Sequence, residues 1–480
     1  MSGAAAGRPV LLTAPYVITL DPSRRVLKDG AVLVRGRTIE AVGFRGEVQA
    51  TAPDAEVRAF ERHALLPGFV DCHLHATQAL ARGMADDIDE VKVRWGWDRI
   101  FPWEAALEEE DLYVGGLLTA VELIKSGVTC FADPGGFHMD PIARAVAETG
   151  IRAVLTVGGM DMWSPGFPLP ASMIHDDPTK WALEASERLI AAWHGREDGR
   201  VRCGYSIRVL MNASEPFVVE IGRRARERNL TVQIHLAVSP DRVKWIMDKT
   251  GRRPVEYLQH LGILGPNWVL AHLGWAHESE IPILTALDVK VCHSPASSMH
   301  NARGAIRHGK FPEMEAAGVS LCLGADAAAC NNSLDMFRAM YLTAVAHNEM
   351  RLQFGVFPPE RVLAMATLGG ARALLWQDEI GSLERGKRAD VIGIDLHHAG
   401  LSPSYDATVI ANLVYSGSAS DVTFAMVDGR VLMDKGAITF LDEHALVSRA
   451  QRCGERMLGR LPYRLQPRWP FLTSAGGASR

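Results

Sequence analysis

The sequence predicts an α/β chain: a parallel barrel of eight βα units, with one small β domain beside it made from both chain ends. Three observations predict this. Eight short apolar runs follow one another from Leu65 onward: LLPGFVDCHLH, GVTCFADPG, IRAVLTVGG, VRCGYSI, LTVQIHLA, WVLAHLG, VKVCHSP and VSLCLGADA. Most are separated by stretches such as PIARAVAETG and PFVVEIGRRARERN, whose apolar residues recur at three- and four-residue spacing. Strand-like segments flank the series on both sides, and chain termini often lie close together.

Taken in order, residues 1–62 hold VLLTAPYVITL, AVLVRGRTIEAVG and AEVRAFE, β-branched and partly alternating, with turns at DPSRR and KDG. They form the N-terminal part of the β domain, and residues 63–387 form the barrel. After GSLERGKRAD the chain returns to strands over residues 388–441, in VIGIDL, ATVIANLVYS and VTFAMVDGRVLMDKG. Residues 442–480 read as one helix and a tail.

Composition narrows the function classes. Charged residues are 22% and hydrophobic ones 48% of 480, ordinary globular values that exclude disorder as a description of the chain. The 56 acidic and 51 basic residues are interspersed and leave a charge of −5, with no electrostatic footprint for nucleic acid or an anionic membrane. No run approaches the roughly 18 apolar residues of a membrane helix. The opening MSGAAAGRPVLLTAPYV lacks the basic and apolar regions of a signal peptide. Seven scattered cysteines without a C-x-x-C pair argue against a disulfide framework and for a cytoplasmic protein.

The stretch richest in chemistry is Asp71-Cys72-His73-Leu74-His75, at the end of the first barrel run. Side chains two apart on a strand point the same way, so His73 and His75 converge on one face and suit a divalent first-row metal. Further runs end in His235, His272, His293 and Asp326, all at the C-terminal strand ends where barrels build active sites. One histidine in an apolar run is ordinarily a satisfied core residue. A set at the same end of successive runs is not explained that way. Asp71 is read as a ligand or as a side chain that orients a ligand histidine or caps a turn.

PGFVDCHLH, IHLA, LAHLG, HSPASSM and GADAAACNNSLDMF together resemble the amidohydrolase superfamily, in the branch of the s-triazine hydrolases and methylthioadenosine/S-adenosylhomocysteine deaminases. There is a looser likeness to phenylurea and thiocarbamate hydrolases. The resemblance implies a (β/α)8 TIM-type barrel with a β-sandwich built from both chain ends. It also implies His73, His75, His235 and His272 as metal ligands, and Asp326 as last ligand and general base. A carboxylate beside a metal can take the proton of the attacking water, whose pKa the metal lowers. His293 matches the family's strand-seven histidine, able to hydrogen-bond that water or the substrate.

The sequence departs from the deaminase pattern in two places. Where that branch reads H-L-A-E, this chain reads His235-Leu236-Ala237-Val238, so the glutamate that protonates a ring nitrogen is missing. Where it carries a histidine in G-P-H-A-P-Y, this chain reads Gly204-Tyr205-Ser206-Ile207-Arg208-Val209. His277, Glu278 and His138 remain to replace the shuttle. Binuclear relatives bridge two metals with a strand-four lysine, and VRCGYSIRVLMN has none, which favours one ion.

The expected activity is therefore metal-dependent hydrolysis of a C–N bond in a small, largely apolar amide, urea or carbamate, xenobiotic-like in character. The alternative is a deaminase or dechlorinase of an N-heteroaromatic ring. A non-catalytic metal-binding barrel is the distant third. Catalysis is assigned to Asp326, with His293 and His277 assisting. Trp95, His138, Met160, Trp163 and Arg208 are the candidate substrate contacts, with Trp97 and Met162 nearby. Cys130, Cys203, Cys292 and Cys322 are buried small hydrophobes, and Cys72 faces away from the histidine pair. One divalent ion per chain is expected, Zn2+ before Fe2+, Mn2+ or Co2+. The partners are a small-molecule substrate and further copies of the chain, with no nucleic acid and no membrane.

Overall fold

The β-branched alternation of the N-terminal segment produces five strands before the barrel begins. They are β1 (Val10–Ile18), β2 (Val26–Arg35), β3 (Thr38–Phe44), β4 (Glu56–Ala59) and β5 (His63–Pro67). The computed structural model describes residues 8–84, 95–164, 166–465 and 469–470. The first seven residues of the predicted β domain and the tail beyond residue 470 lie outside them.

The barrel strands follow: β6 (Phe69–Asp71), β7 (Val128–Asp133), β8 (Arg152–Leu155), β9 (Gly158–Gly159), β10 (Val201–Cys203), β11 (Tyr205–Ile207), β12 (Val232–Leu236), β13 (Trp268–His272), β14 (Lys290–His293) and β15 (Leu321–Leu323). Strands β8 and β9 are two halves of one stave, as are β10 and β11. Gly204 joins the latter pair because a Cβ there would stand 2.3 Å from the Thr231 carbonyl. Among the described residues the staves run parallel, β6–β7–β8–β10 and β9–β11–β12–β13–β14–β15. Cys72 N donates to Leu323 O (2.9 Å) and Asp326 N donates to His73 O (2.8 Å), which ties the first stave to the last. The result is a (β/α)8 barrel. Its lumen is packed with small groups, Val70, Cys72, Cys130, Ala132, Val154, Cys292 and Cys322, over Trp376.

The barrel helices obey ordinary start and stop rules. In Glu215–Arg228 the Ser214 hydroxyl accepts from Phe217 N, Pro216 occupies the first turn, and Asn229 ends the helix at φ +48°. Phe217, Val218, Ile221 and Ala225 form its buried stripe.

The C-terminal strands are β16 (Val391–Asp395), β17 (Val422–Val427), β18 (Arg430–Asp434) and β19 (Ala437–Ile438). They join the N-terminal ones in one nine-stranded sheet, ordered β19-β18-β17-β16-β5-β1-β2-β3 with β4 on β1. The two ends meet where β5 pairs antiparallel with β16, Leu65 opposite Gly393. Residues from both ends, among them Val17, Val32, Leu65, Val391 and Phe424, share one core cluster.

One predicted strand is a helix. ATVIANLVYS contains Val409–Tyr415, helical, with Val409, Leu413 and Val414 buried. Its β-branched composition reads as a strand. The four- and five-residue spacing of the buried positions, packed into the main core, favours helix instead. The final helix, Glu443–Leu458, lays Leu446, Ala450 and Cys453 on Val114, Leu117 and Val121 of Glu109–Lys125.

Candidate metal centre

Strand alternation aims part of the site. On β12, Gln233 and His235 face the lumen, while Val232, Ile234 and Leu236 face the helices and pack in the main core. On β13 strict alternation would turn His272 outward with Trp268 and Leu270. Instead His272 (φ +72°) and Leu273 (φ +47°) adopt left-handed backbone, and the imidazole swings over the barrel mouth. Asp326 is also left-handed, at φ +64°. Such conformations in non-glycine residues cost on the order of 1–3 kcal/mol each and collect at functional sites. Gly324, just before Asp326, admits the close approach of the first stave: a Cβ there would lie 2.9 Å from both His73 Cβ and Cys292 Sγ.

These turns assemble one buried donor set. His73, His75 and His235 form one triad and His73, His272 and Asp326 another, with ligand atoms in each within 4.8 Å of one another. Asp326 Oδ1 is 3.8 Å from His73 Nε2 and 3.9 Å from His75 Nε2, and its Oδ2 is 3.7 Å from His272 Nε2. His75 and His235 face each other Nε2 to Nε2 at 3.1 Å. Two nitrogens each about 2.1 Å from one ion stand roughly 3.0–3.4 Å apart, so this spacing fits a shared metal. Neither ring nitrogen of His73 has a hydrogen-bond partner among the described residues, nor does Nδ1 of His75. His235 Nδ1 donates to the Arg208 carbonyl at 2.8 Å, which leaves its Nε2 lone pair for a metal.

The protonation states agree with this. Burial pulls His73 down to about 4 and holds His75, His235 and His272 well below the usual imidazole range, so all four are neutral at pH 7. Burial alone would raise Asp326. The neighbouring His73 and Arg303 and the Ser297 hydroxyl, which donates at 2.6 Å, outweigh it and hold the carboxyl at about 2. Asp71 sits beneath as a brace. Its Oδ1 accepts from His73 N at 3.0 Å and its Oδ2 from Ala325 N at 3.2 Å, and burial raises it to about 8.

Other predicted site residues lie elsewhere. Cys292 points into the lumen, so its neighbour His293 points out, where its Nε2 meets His347 Nε2 at 3.2 Å and its ring packs on Phe311. It does not reach the donor set. His277 is exposed, capping the turn before Ile281 with its Nδ1 3.0 Å from Ser279 Oγ, and Glu278 pairs with Lys310 at the surface. His138 is exposed and lines a different cleft, with Trp193. Trp163 is 56% exposed. Met160 is buried behind Trp97, Phe101 and Val209. Trp95 and Arg208 do line the cavity above the donor set.

That cavity, about 50 Å³, is walled by Trp95, Ile100, Phe101, Val209 and Val238, and it also carries Arg208, Arg242 and Arg303. Sequence reasoning missed Arg242, Arg303, Ser297 and Glu104. Arg242 and Arg303 stand in the loops and helix starts after β12 and β14, where the rule for barrel active sites directs attention. Glu104 is buried, and its Oε1 accepts from Arg208 Nη2 at 2.7 Å and Gln78 Nε2 at 2.8 Å.

A barrel with a buried His/Asp metal site at its C-terminal mouth defines a metal-dependent hydrolase. Residues 64–432 match the amidohydrolase family, and the chain belongs to that family as a hydrolase of C–N bonds other than peptide bonds. It is similar to a 5'-deoxyadenosine deaminase of Methanosarcina acetivorans, 33% identical over 94% of this chain and 99% of that protein. The structure is similar to that of an adenosine deaminase from Xanthomonas campestris with bound zinc, with TM-score 0.82 and 26% identity over 93% of this chain and 98% of that one. An atrazine chlorohydrolase from Arthrobacter aurescens, also complexed with zinc, shares the fold at TM-score 0.81 and 21% identity, over 93% of this chain and 100% of that one. No helix of the described residues is long and apolar enough to cross a membrane.

Proposed function

We propose that this chain deaminates a small N-heteroaromatic compound, adenosine-like or simpler, by adding water to the ring carbon that bears the amine. The observation that carries the reading is full-length kinship with a nucleoside deaminase around an intact donor set. His73, His75, His235, His272 and Asp326 hold one ion, Zn2+ by analogy with the zinc-bound neighbour. That ion supplies a Lewis acid and lowers the pKa of water. Asp326 accepts the water's proton as the oxygen bonds to the ring carbon. It passes that proton to the ring nitrogen, which takes the C=N electron pair, then accepts the remaining hydroxyl proton and delivers it to the amine, so that the C–N bond breaks, a ring carbonyl forms and ammonia leaves. Ser297 and Arg303, 2.6 and 3.3 Å from Asp326 Oδ2, hold the carboxylate in place for both transfers.

Asp326 is the one carboxylate among the described residues that line the cavity, so a single group handles both proton transfers. The arginines there do not give up a proton, so none of them replaces the missing glutamate. Val238 favours a second reading, hydrolysis of an amide, urea or carbamate, whose carbonyl needs no ring protonation; the likeness to phenylurea and thiocarbamate hydrolases goes with it. Zinc-reconstituted protein assayed against aminated purines, pyrimidines and triazines, and against amides, ureas and carbamates, separates the two. Ammonia release from a ring compound is expected. Turnover confined to carbonyl compounds would replace the first reading with the second. Elemental analysis should find one zinc per chain.

A further inference from the structure

We propose that the substrate carries a carboxylate, received by Arg242 with help from Arg303 on the cavity wall. This rests on the proposed ring hydrolysis for the rest of the substrate, but the anion site stands on its own geometry. Three guanidinium groups line one small cavity, and their counter-charges are unevenly placed. Arg208 is spoken for by buried Glu104 at 2.7 Å. Arg303 leans on Asp326 at 3.3 Å. Arg242 has no carboxylate within ion-pair reach among the described residues; its recorded contact is the face of Trp97, 5.0 Å from the ring centroid. Asp241, its neighbour in the chain, is exposed. Burial, Arg303 and Arg208 lower the Arg242 guanidinium to about 10, and Asp241 offsets them only in part.

Arg242 is half-buried, and a guanidinium partly removed from water without an ion-pair partner is less favourable on an apolar wall than a hydrophobe. The arrangement becomes favourable when a ligand brings the missing anion. A planar guanidinium receives a carboxylate through two parallel hydrogen bonds. The surrounding Trp95, Phe101 and Val238 suit the faces of an aromatic ring. A neutral nucleoside gives Arg242 nothing to neutralise.

The test uses isosteric pairs that differ only in charge: 2-aminopyrimidine-4-carboxylate against its 4-carboxamide, and benzoate against benzamide. Each is titrated calorimetrically into zinc-loaded and metal-free protein. Each carboxylate should bind about 10- to 100-fold more tightly than its amide, the range of a charge-assisted hydrogen-bond pair. The preference should collapse in Arg242→Gln, largely return in Arg242→Lys, and persist without metal, which excludes coordination to zinc as its source. Equal binding of acid and amide by the wild type, or an undiminished preference in Arg242→Gln, overturns the proposal. Inorganic phosphate binding as tightly as the carboxylated ring overturns the assignment to a carboxylate. Arg242-dependent binding of benzoate without turnover of any ring compound upholds the anion site while removing the ring reading.

Discussion

At the N-terminal end of the barrel, Arg152, the first residue of β8, is as buried as any side chain in the protein. Its Nε and Nη2 each donate to one oxygen of Asp390 at 3.0 Å, and Asp428 stands 3.7 Å away. Asp390 also accepts from Asp428 N at 2.8 Å, so both of its oxygens are engaged. It joins the barrel to the sheet made by the chain ends. At the opposite end, Arg208, Arg242 and Arg303 share one cavity with fewer carboxylates than guanidiniums, beside histidine ring nitrogens that have no hydrogen-bond partner among the described residues. The closed one holds two parts of the fold together; the open one is completed only by what it binds. Unsatisfied burial, rather than burial or charge alone, distinguishes the functional end.

The largest effect expected is at the open end. Asp326→Asn should lower turnover about 10²–10⁴-fold, because an amide cannot take the water's proton. Steady-state ammonia release, with zinc content measured on the same sample, checks this; a variant that keeps its zinc and more than about a tenth of the activity places the base elsewhere. At the closed end, Arg152→Met should destabilise the fold by about 3–5 kcal/mol, since it strands Asp390 in the interior. Urea denaturation of metal-free protein reads it. The same measurement on Arg242→Met should show a change within about 1 kcal/mol or a gain, because no partner is stranded. Equal losses for the two variants would erase the contrast.

The His293–His347 pair, outside the lumen, tests the same idea through pH. Burial lowers His347 to about 4, and His293 lies well below the usual range. Above pH 6.5 both states are neutral and the pair's contribution is complete. As pH falls from 6.5 towards 4 the unfolded chain takes up protons that the folded one refuses. Stability is lost over that window, by about 3 kcal/mol for His347. His347→Phe should flatten the difference in unfolding free energy between pH 7 and pH 5 relative to the wild type. An unchanged slope would mean that the ring is already charged in the folded state. The smallest effect is at Val238. Val238→Glu brings a carboxylate into the arginine-lined cavity, so it should raise the melting temperature by a degree or two, about 1 kcal/mol or less, and weaken carboxylate binding. A drop in stability would mean that the cavity charge is already balanced.

Much of the centre was legible because metal chemistry uses few residue types at fixed strand ends. His73 and His75 announce themselves by spacing, and His235, His272 and Asp326 by closing successive apolar runs. The arginines were not legible in the same way. Arg242 and Arg303 lie 61 residues apart in surface-like stretches of polar sequence, and nothing in either stretch says that its guanidinium turns inward. His293 misled for another reason: it ends a strand as the donors do, but its backbone lacks the left-handed turn of His272 and its ring packs on Phe311 and His347.

By itself, then, the sequence determined the alternation of strands and helices, the eightfold barrel and the joining of the two chain ends, and it picked out the histidines and aspartate that the barrel mouth brings together. Those follow from local periodicity and from residue chemistry, which neighbouring residues reveal. Only the tertiary structure decided which way each strand end turned: His272 inward on left-handed backbone, His293 outward onto His347, and Val409–Tyr415 into a helix against the core. It also decided which charges meet. Glu104 and Arg208, 104 residues apart, pair, while Arg242 finds no carboxylate. The reason is that parity and pairing depend on closure of the barrel, which sets distances between residues that the chain keeps far apart.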